Sequence, residues 1–263
     1  MVETGLIFES GASSDVGRVR KVNEDAFLMR PVAGLWTVSD GMGGHEAGRL
    51  ASSMVVEAMQ SIEPHETAAG LLADCERRLT LVNQILRRVA QDRGYSIVGA
   101  TVVILLIHGR NRACLWSGDS RIYRVRGGVI EQLTRDHSEA EELVSRGIMT
   151  REEVKHWPRR NVITRAIGVT DVPEIDIVDG LVEAEDVYVL CSDGLTNHVD
   201  DDEIRDIVGD GDVDVQIACD RLIGLTLERG AKDNVTAVVV RARRREPTVM
   251  DPAGVRPNWT SAT

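Results

Sequence analysis

The sequence predicts an α/β fold, a layered α-β-β-α sandwich of two central, mostly antiparallel β-sheets flanked by helices with a flap inserted. Three observations predict it. Short β-type apolar runs recur along the chain with brief turns between most of them, long stretches with helical spacing fall between and after these runs, and one polar stretch interrupts the pattern. Sheets stacked on one another with helices over their outer faces bury both kinds of apolar surface.

The elements follow in chain order. Leu35 to Val38 reads as a strand, and Leu50, Met54 and Ala58 then lie on one face of a helix. A longer helical stripe runs through Leu72, Cys75, Leu79, Val82, Leu86 and Val89. Strand-like runs return at Thr101 to Ile107, Arg112 to Trp116, Ile122 to Val125 and Val129 to Leu133. Arg126-Gly127-Gly128 joins two of them tightly enough for a hairpin, which favours antiparallel pairing over a regular βαβ alternation. Residues 138–161 are polar, with short helical patterns at Glu139 to Ser145 and Arg151 to Lys155, and read as a mobile flap. A strand at Val187 to Cys191, a helix from Asp214 to Glu228 and a strand at Val235 to Val240 complete the set. One domain over residues 1–245 is expected, with a flexible tail at 246–263, and the Arg241 to Arg245 run reads as a solvated strand end.

Composition narrows the function. With 263 residues, 43% of them hydrophobic and 28% charged, the chain can bury a sizeable core. Lys and Arg number 31 against 42 Asp and Glu, a net charge of -11, so neither a nucleic acid nor an anionic membrane is an expected partner. Cys75, Cys114, Cys191 and Cys219 are far apart within apolar stretches, as suits buried thiols in a reducing compartment. No basic segment leads into an apolar run at the start, and the apolar run Val102 to Ile107 is far below the ~20 residues of a membrane helix. A cytoplasmic monomer is expected.

Several apolar strands end in an acidic residue beside glycine: Asp40-Gly41, Asp193-Gly194 and Gly118-Asp119, while Asp233-Asn234 stands just before another strand. Taken singly, each is a common turn. Jointly, carboxylates at strand ends can converge on one rim of a sandwich, where their repulsion calls for bound cations. Oxygen ligands without Cys or His favour hard ions, Mn²⁺ or Mg²⁺ rather than zinc. Gly41, lacking a β-carbon, lets its carbonyl approach an ion closely.

The runs Asp15 to Asp25, Ser39 to His45, Gly118 to Tyr123 and Cys191 to Thr196 resemble the metal-dependent protein phosphatase family, also called protein phosphatase 2C. So do Gly99-Ala100-Thr101, Asn161 to Gly168 and Asp233 to Thr236, in the family's order over about Gly11 to Val240, with the free-standing bacterial branch most similar. The resemblance implies an antiparallel β-sandwich and a serine/threonine phosphatase acting on phosphorylated proteins, opposite a serine/threonine kinase, by direct attack of a metal-activated water. It implies that Asp40 bridges two ions, that Asp193 and Asp233 complete one, and that the Gly41 carbonyl serves the other. Glu24 and Asp25 then hold metal-bound waters, Arg20 grips the substrate phosphate, and Asp119 helps hold a third ion. Read by spacing alone, Arg20 and the Glu24-Asp25 pair would be solvated surface charges.

The residues agree with a route that forms no covalent phosphoenzyme. Six positions after each cysteine stand Leu81, Ser120, Asn197 and Leu225, where a cysteine-dependent phosphatase needs arginine, and there is no Gly-x-Ser-x-Gly elbow. The chain departs from animal members of the family at Met42, where they carry histidine, which leaves His45 and a metal-bound water as candidates for the proton donor. His137 and His156, which border the flap, receive no role. The competing readings are a catalytically inactive module that binds phosphoproteins and a hydrolase of small phosphate esters.

Overall fold

The computed structural model describes residues 5–95 and 97–245, apart from the side chains of His45 and Lys155. The tail expected at 246–263 lies outside the described residues. Eleven strands among them form two sheets. The first contains β1 (Leu6–Asp15), β7 (Arg121–Arg126), β8 (Val129–Gln132), β10 (Val187–Cys191) and β11 (Val235–Arg244) in the order β1-β11-β10-β7-β8. The second contains β2 (Asp25–Arg30), β3 (Leu35–Met42), β5 (Val102–His108), β6 (Asn111–Ser117) and β9 (Asp176–Leu181) in the order β2-β3-β5-β6-β9, with the short β4 (Gly99–Ala100) beside β3. Every strand pair is antiparallel, as the hairpin signal predicts. At the β7–β8 turn Gly127 and Gly128 both take positive φ, 57° and 78°, which only glycine adopts without strain.

The central strands are apolar at nearly every position because their two faces feed different cores. In β5, Val102, Ile104 and Leu106 face α1 (His45–Gln60) and α2 (Ala68–Arg93), while Val103, Leu105 and Ile107 face the opposite sheet. In β11, Val235, Ala237 and Val239 pack towards α5 (Asp193–Thr196), α6 (Asp201–Val208) and α7 (Val215–Glu228), while Val238, Val240 and Ala242 enter the space between the sheets. Period-2 alternation therefore builds three apolar layers, helix on sheet, sheet on sheet and sheet on helix. The two short helices of the 138–161 segment, α3 (Glu139–Ser145) and α4 (Arg151–Lys155), fall where the pattern places them. Main-chain bonds from Glu139 N–H to Val162 and from Thr164 N–H to His137 close the base of this segment.

Strands β1, β2, β4 and β9 and helices α5 and α6 escape the sequence pattern. The strand β1, Leu-Ile-Phe-Glu-Ser-Gly-Ala-Ser-Ser-Asp, is held by ten register pairs with β11 that no local signal announces. The edge strand β9 carries two Asp and a Gly and is largely exposed.

The Arg241 to Arg245 run corrects the expectation of a solvated end. Arg241 is only 1% exposed and donates to the carbonyls of Val208 (3.2 Å), Asp210 (2.9 Å), Gly211 (3.3 Å) and Val213 (2.7 Å), binding the loop between α6 and α7 to the sheet. Arg243 pairs with Glu9 and Glu185. Among the described residues no helix is long and apolar enough to cross a membrane.

Candidate metal centre

The antiparallel order brings the C-terminal ends of β3, β6 and β10 and the N-terminal ends of β2, β7 and β11 to one rim of the sandwich. Here the layer between the sheets changes from apolar to polar. On β3 the inward face runs Trp36, Val38, Asp40; on β10 it runs Tyr188, Leu190, Ser192; on β11 it runs Val240, Val238, Thr236. Asp25 stands directly across from Asp40 in the β2–β3 register.

Asp40, Asp119, Asp193 and Asp233 line one cavity of about 330 Å³, with Arg20, Glu24 and Gly41 also in its wall. Asp40, Asp119 and Asp193 are half-buried there, and the Asp233 side chain is 39% exposed. Burial, followed by the charges of Asp25, Asp193 and Asp119, holds Asp40 well above the usual carboxylate range. Burial and then Asp193 do the same to Asp119. Burial and the neighbouring Asp233 push Asp193 up to about 6, and burial pushes Asp25 up to about 7 against two hydrogen bonds that favour its charge. Those bonds come from Ser192 and Thr236, both 2.8 Å to Asp25 Oδ2, while Asp25 Oδ1 is buried without a partner.

Such a set fits divalent cations. Crowded carboxylates and an orphaned acceptor oxygen cost free energy that a hard cation removes. Among the described residues no three His, Cys, Asp or Glu side chains close around a point by themselves. Hard divalent cations take carboxylate oxygens together with carbonyls and water. Gly41 answers a packing need as well: a β-carbon there would lie 2.0 Å from the Gly48 carbonyl of α1.

Arg20 stands at the rim, half exposed, and donates to Asp233 Oδ2 at 2.7 Å. Glu24 is buried, and its carbonyl accepts from Gly41 N–H (3.1 Å) and Ser52 Oγ (2.5 Å). His45 opens α1 after Gly44, and its side chain lies outside the described residues, so the proton-donor reading is left as an expectation. The four cysteines are buried, and burial pushes Cys75, Cys191 and Cys219 up to about 12 and Cys114 up to about 11, too high for a thiolate nucleophile.

The model of the family described as Protein phosphatase 2C matches residues 17–221. The chain belongs to this family. Among protein phosphatase 2C relatives, the serine/threonine protein phosphatase PstP of Mycobacterium tuberculosis is 35% identical over 240 residues, 91% of this chain, which spans 46% of that relative's length. Protein phosphatase PhpP of Streptococcus pneumoniae is 34% identical over 234 residues, 86% of this chain and 94% of PhpP. PppA, a key regulatory component of T6SS in Pseudomonas aeruginosa, superposes with a TM-score of 0.84 at 44% identity over 90% of this chain and 98% of its own. The catalytic domain of PstP solved with two manganese ions superposes with a TM-score of 0.82 at 33% identity, over 90% of this chain and 99% of that domain. The two antiparallel sheets flanked by helices are the architecture of this phosphatase family.

Three residues to which the sequence assigns no role support the site in this protein phosphatase 2C chain: Thr101 and Asn234, which stand in family-like runs, and His137. Thr101 accepts from the Asp40 N–H (3.1 Å) and shares a hydrogen bond with Ser120 (2.8 Å), tying the Asp40 strand to the Asp119 turn. His137 accepts from the Gly118 N–H on Nδ1 (3.2 Å), which leaves the ring proton on Nε2 towards Asp176 (3.1 Å). Asn234 is 5% exposed; it donates to the carbonyls of Val16 (2.9 Å) and Val22 (3.0 Å) and accepts from Glu24 N–H (2.8 Å). It thereby binds the 16–24 loop, with Arg20 and Glu24, to Asp233. Asn234→Ala is expected to destabilise the protein by about 2–3 kcal/mol, the cost of leaving buried polar groups unpaired. The same variant should need more Mn²⁺ for half-maximal activity. Thermal unfolding and a metal titration check both, and an unchanged metal requirement would detach the 16–24 loop from the site.

Proposed function

We propose that the chain hydrolyses phosphoserine and phosphothreonine in proteins, with Mn²⁺ or Mg²⁺ held by Asp40, Asp193, Asp233 and the Gly41 carbonyl. The observation that carries this is the gathering of Asp40, Asp119, Asp193 and Asp233, distant in sequence, around one cavity with an arginine at its mouth. The PstP domain with two manganese ions, 33% identical, supports two ions here, and Asp119, in the wall of the same cavity, is our candidate for helping to hold a third. Bound there, divalent cations supply Lewis acidity, lowering the pKa of water and offsetting charge on phosphoryl oxygens.

The chain's own residues do the rest. Arg20 offers a planar fork of donors to the phosphate and leaves Asp233 to do so; an ion pair this exposed is worth at most about 1 kcal/mol, so the exchange costs little. Glu24 orients water from the cavity wall, and Asp25, opposite Asp40 with one unpartnered oxygen, does so from behind it. The 138–161 segment reaches the same cavity through Asn161, where it can limit which phosphoproteins enter. A serine/threonine kinase of the same cell is the expected counterpart.

Phosphate release from phosphoserine, phosphothreonine and phosphotyrosine peptides, with Mn²⁺, with Mg²⁺ and with chelator, tests the reading. Release from the first two only, lost on chelation, is expected. Activity that survives chelation would contradict it, and release from small esters alone would assign a different substrate class.

A further inference from the structure

A second and larger cavity, about 890 Å³, opens beside the first and shares Asp119, Asn161 and Asp193 with it. It forms a groove that leads from the candidate metal centre between the 138–161 segment and the start of α6. Ile130, Val144, Val154 and Val199 give it apolar lining. Its charges are uneven. Arg121 is held two-pronged by Asp136 (2.9 and 2.7 Å), and Glu141 is shared by Arg135 (2.8 Å) and the largely exposed Arg151 (3.4 Å), so these charges are answered on the 138–161 side of the wall. Asp200 is used by the capping box of α6. On the α6 side there remain Asp201, exposed and without an ion pair among the described residues, and Asp202, whose partner Arg205 sits on the same helix. Arg160 on the other side is the one cation left to oppose them among the described residues.

We propose that this groove receives the segment next to the phosphorylated residue of a substrate protein and favours one that carries Lys or Arg together with an apolar side chain. The proposal rests on the phosphatase reading of the adjoining site. Continuity with that site names the occupant: a chain whose phosphate lies among the metal ligands must leave the cavity, and the groove is a walled way out. The composition of the walls names its chemistry, since apolar side chains there exclude water and so strengthen the pull of Asp201 and Asp202 on a cation. An acidic segment would meet the same carboxylates as repulsion.

The test compares phosphothreonine peptides that differ only in carrying Lys or Glu beside the phosphoresidue, placed on either side in turn. It uses the full chain with Mn²⁺ at low salt. The Lys peptide is expected to show roughly tenfold higher kcat/KM, and the preference should fall to about twofold or less in the Asp201→Asn, Asp202→Asn double variant and at high salt. Turnover of p-nitrophenyl phosphate, too short to extend from the metal centre to Asp201 and Asp202, should be the same in both proteins. Equal rates for the two peptides, a preference for Glu, or a Lys preference that survives the double substitution would overturn the groove's role. Failure to hydrolyse p-nitrophenyl phosphate would instead count against the phosphatase reading. In that event fluorescence anisotropy of the two labelled peptides still decides the groove, by whether the Lys peptide binds more tightly and loses that advantage in the variant.

Discussion

Asp40→Asn is expected to lower phosphopeptide hydrolysis at least ~10³-fold and yet to raise the melting temperature of the metal-free protein. The loss follows because the substitution removes a ligand charge, and several kcal/mol of stabilisation of charge in the transition state goes with it. The gain follows because loss of solvent, and then the charges of Asp25, Asp193 and Asp119, hold the half-buried Asp40 above the usual carboxylate range. An amide of the same shape has no charge to bury or to repel. The local fold has no reason to change, since Asp40 is fastened through its main chain, accepting from Thr101 N–H (2.8 Å) and donating to Thr101 Oγ1 (3.1 Å).

The same crowding sets a pH dependence in the metal-free protein. Asp193 and Asp25 keep their protons up to about 6 and about 7 when folded, against an ordinary value of 3.8. Between those limits the folded chain binds more protons than the unfolded one, so their contribution is fully present below about pH 4 and is lost as pH rises through 6 to 7. Asp74, Asp186 and Glu203, whose carboxyls sit below their ordinary values, act in the opposite sense, but only at lower pH. Melting curves of wild type and Asp40→Asn at pH 5 and pH 8, with chelator and with Mn²⁺, separate these effects. Wild type should lose stability from pH 5 to pH 8 with chelator, lose less in Asp40→Asn, and recover with Mn²⁺. A variant less stable than wild type in chelator would show that the carboxylates are not crowded.

Arg241→Met is expected to destabilise the fold by about 3 kcal/mol without touching the metal centre. The methionine fills much of the same volume but leaves the carbonyls of Val208, Asp210, Gly211 and Val213 without their donor. Part of that cost is recovered, because residues 209–212 are exposed and water can reach their carbonyls. In a chain of this size the loss corresponds to a fall of roughly 6–12 °C in Tm. Arg241→Lys should fall between the two, since an ammonium offers three donors and cannot span the carbonyls as the guanidinium fork does. Turnover by the folded variant should equal that of wild type at 20 °C. A Tm within about 2 °C of wild type would mean that these bonds contribute little.

Much of the fold is legible in the amino-acid order because its central strands are buried on both faces. Val102 to Ile107, Val187 to Cys191 and, apart from Thr236, Val235 to Val240 are apolar because they serve two cores at once, while α2 and α7 keep a helical stripe because each buries one face. The residues that escape notice are those whose structure depends on a distant partner. The strand β1 exists through β11, more than two hundred positions away, and Arg241 is buried because a loop some thirty residues earlier folds over it. A run of arginines at a strand end has no local mark that separates a solvated one from a buried one.

The candidate site divides in the same way. Asp-Gly at strand ends and the motifs around Asp40, Asp119, Asp193 and Asp233 name the carboxylates and the kind of cation they suit, because ligand chemistry belongs to the side chain itself. Tertiary structure alone brings them to one rim, sets Asp25 across from Asp40, hands Glu24 and Arg20 to Asn234, and opens a groove between the 138–161 segment and α6. Those features are distances between residues remote along the chain. Such distances follow from strand register and layer packing, which no single segment contains.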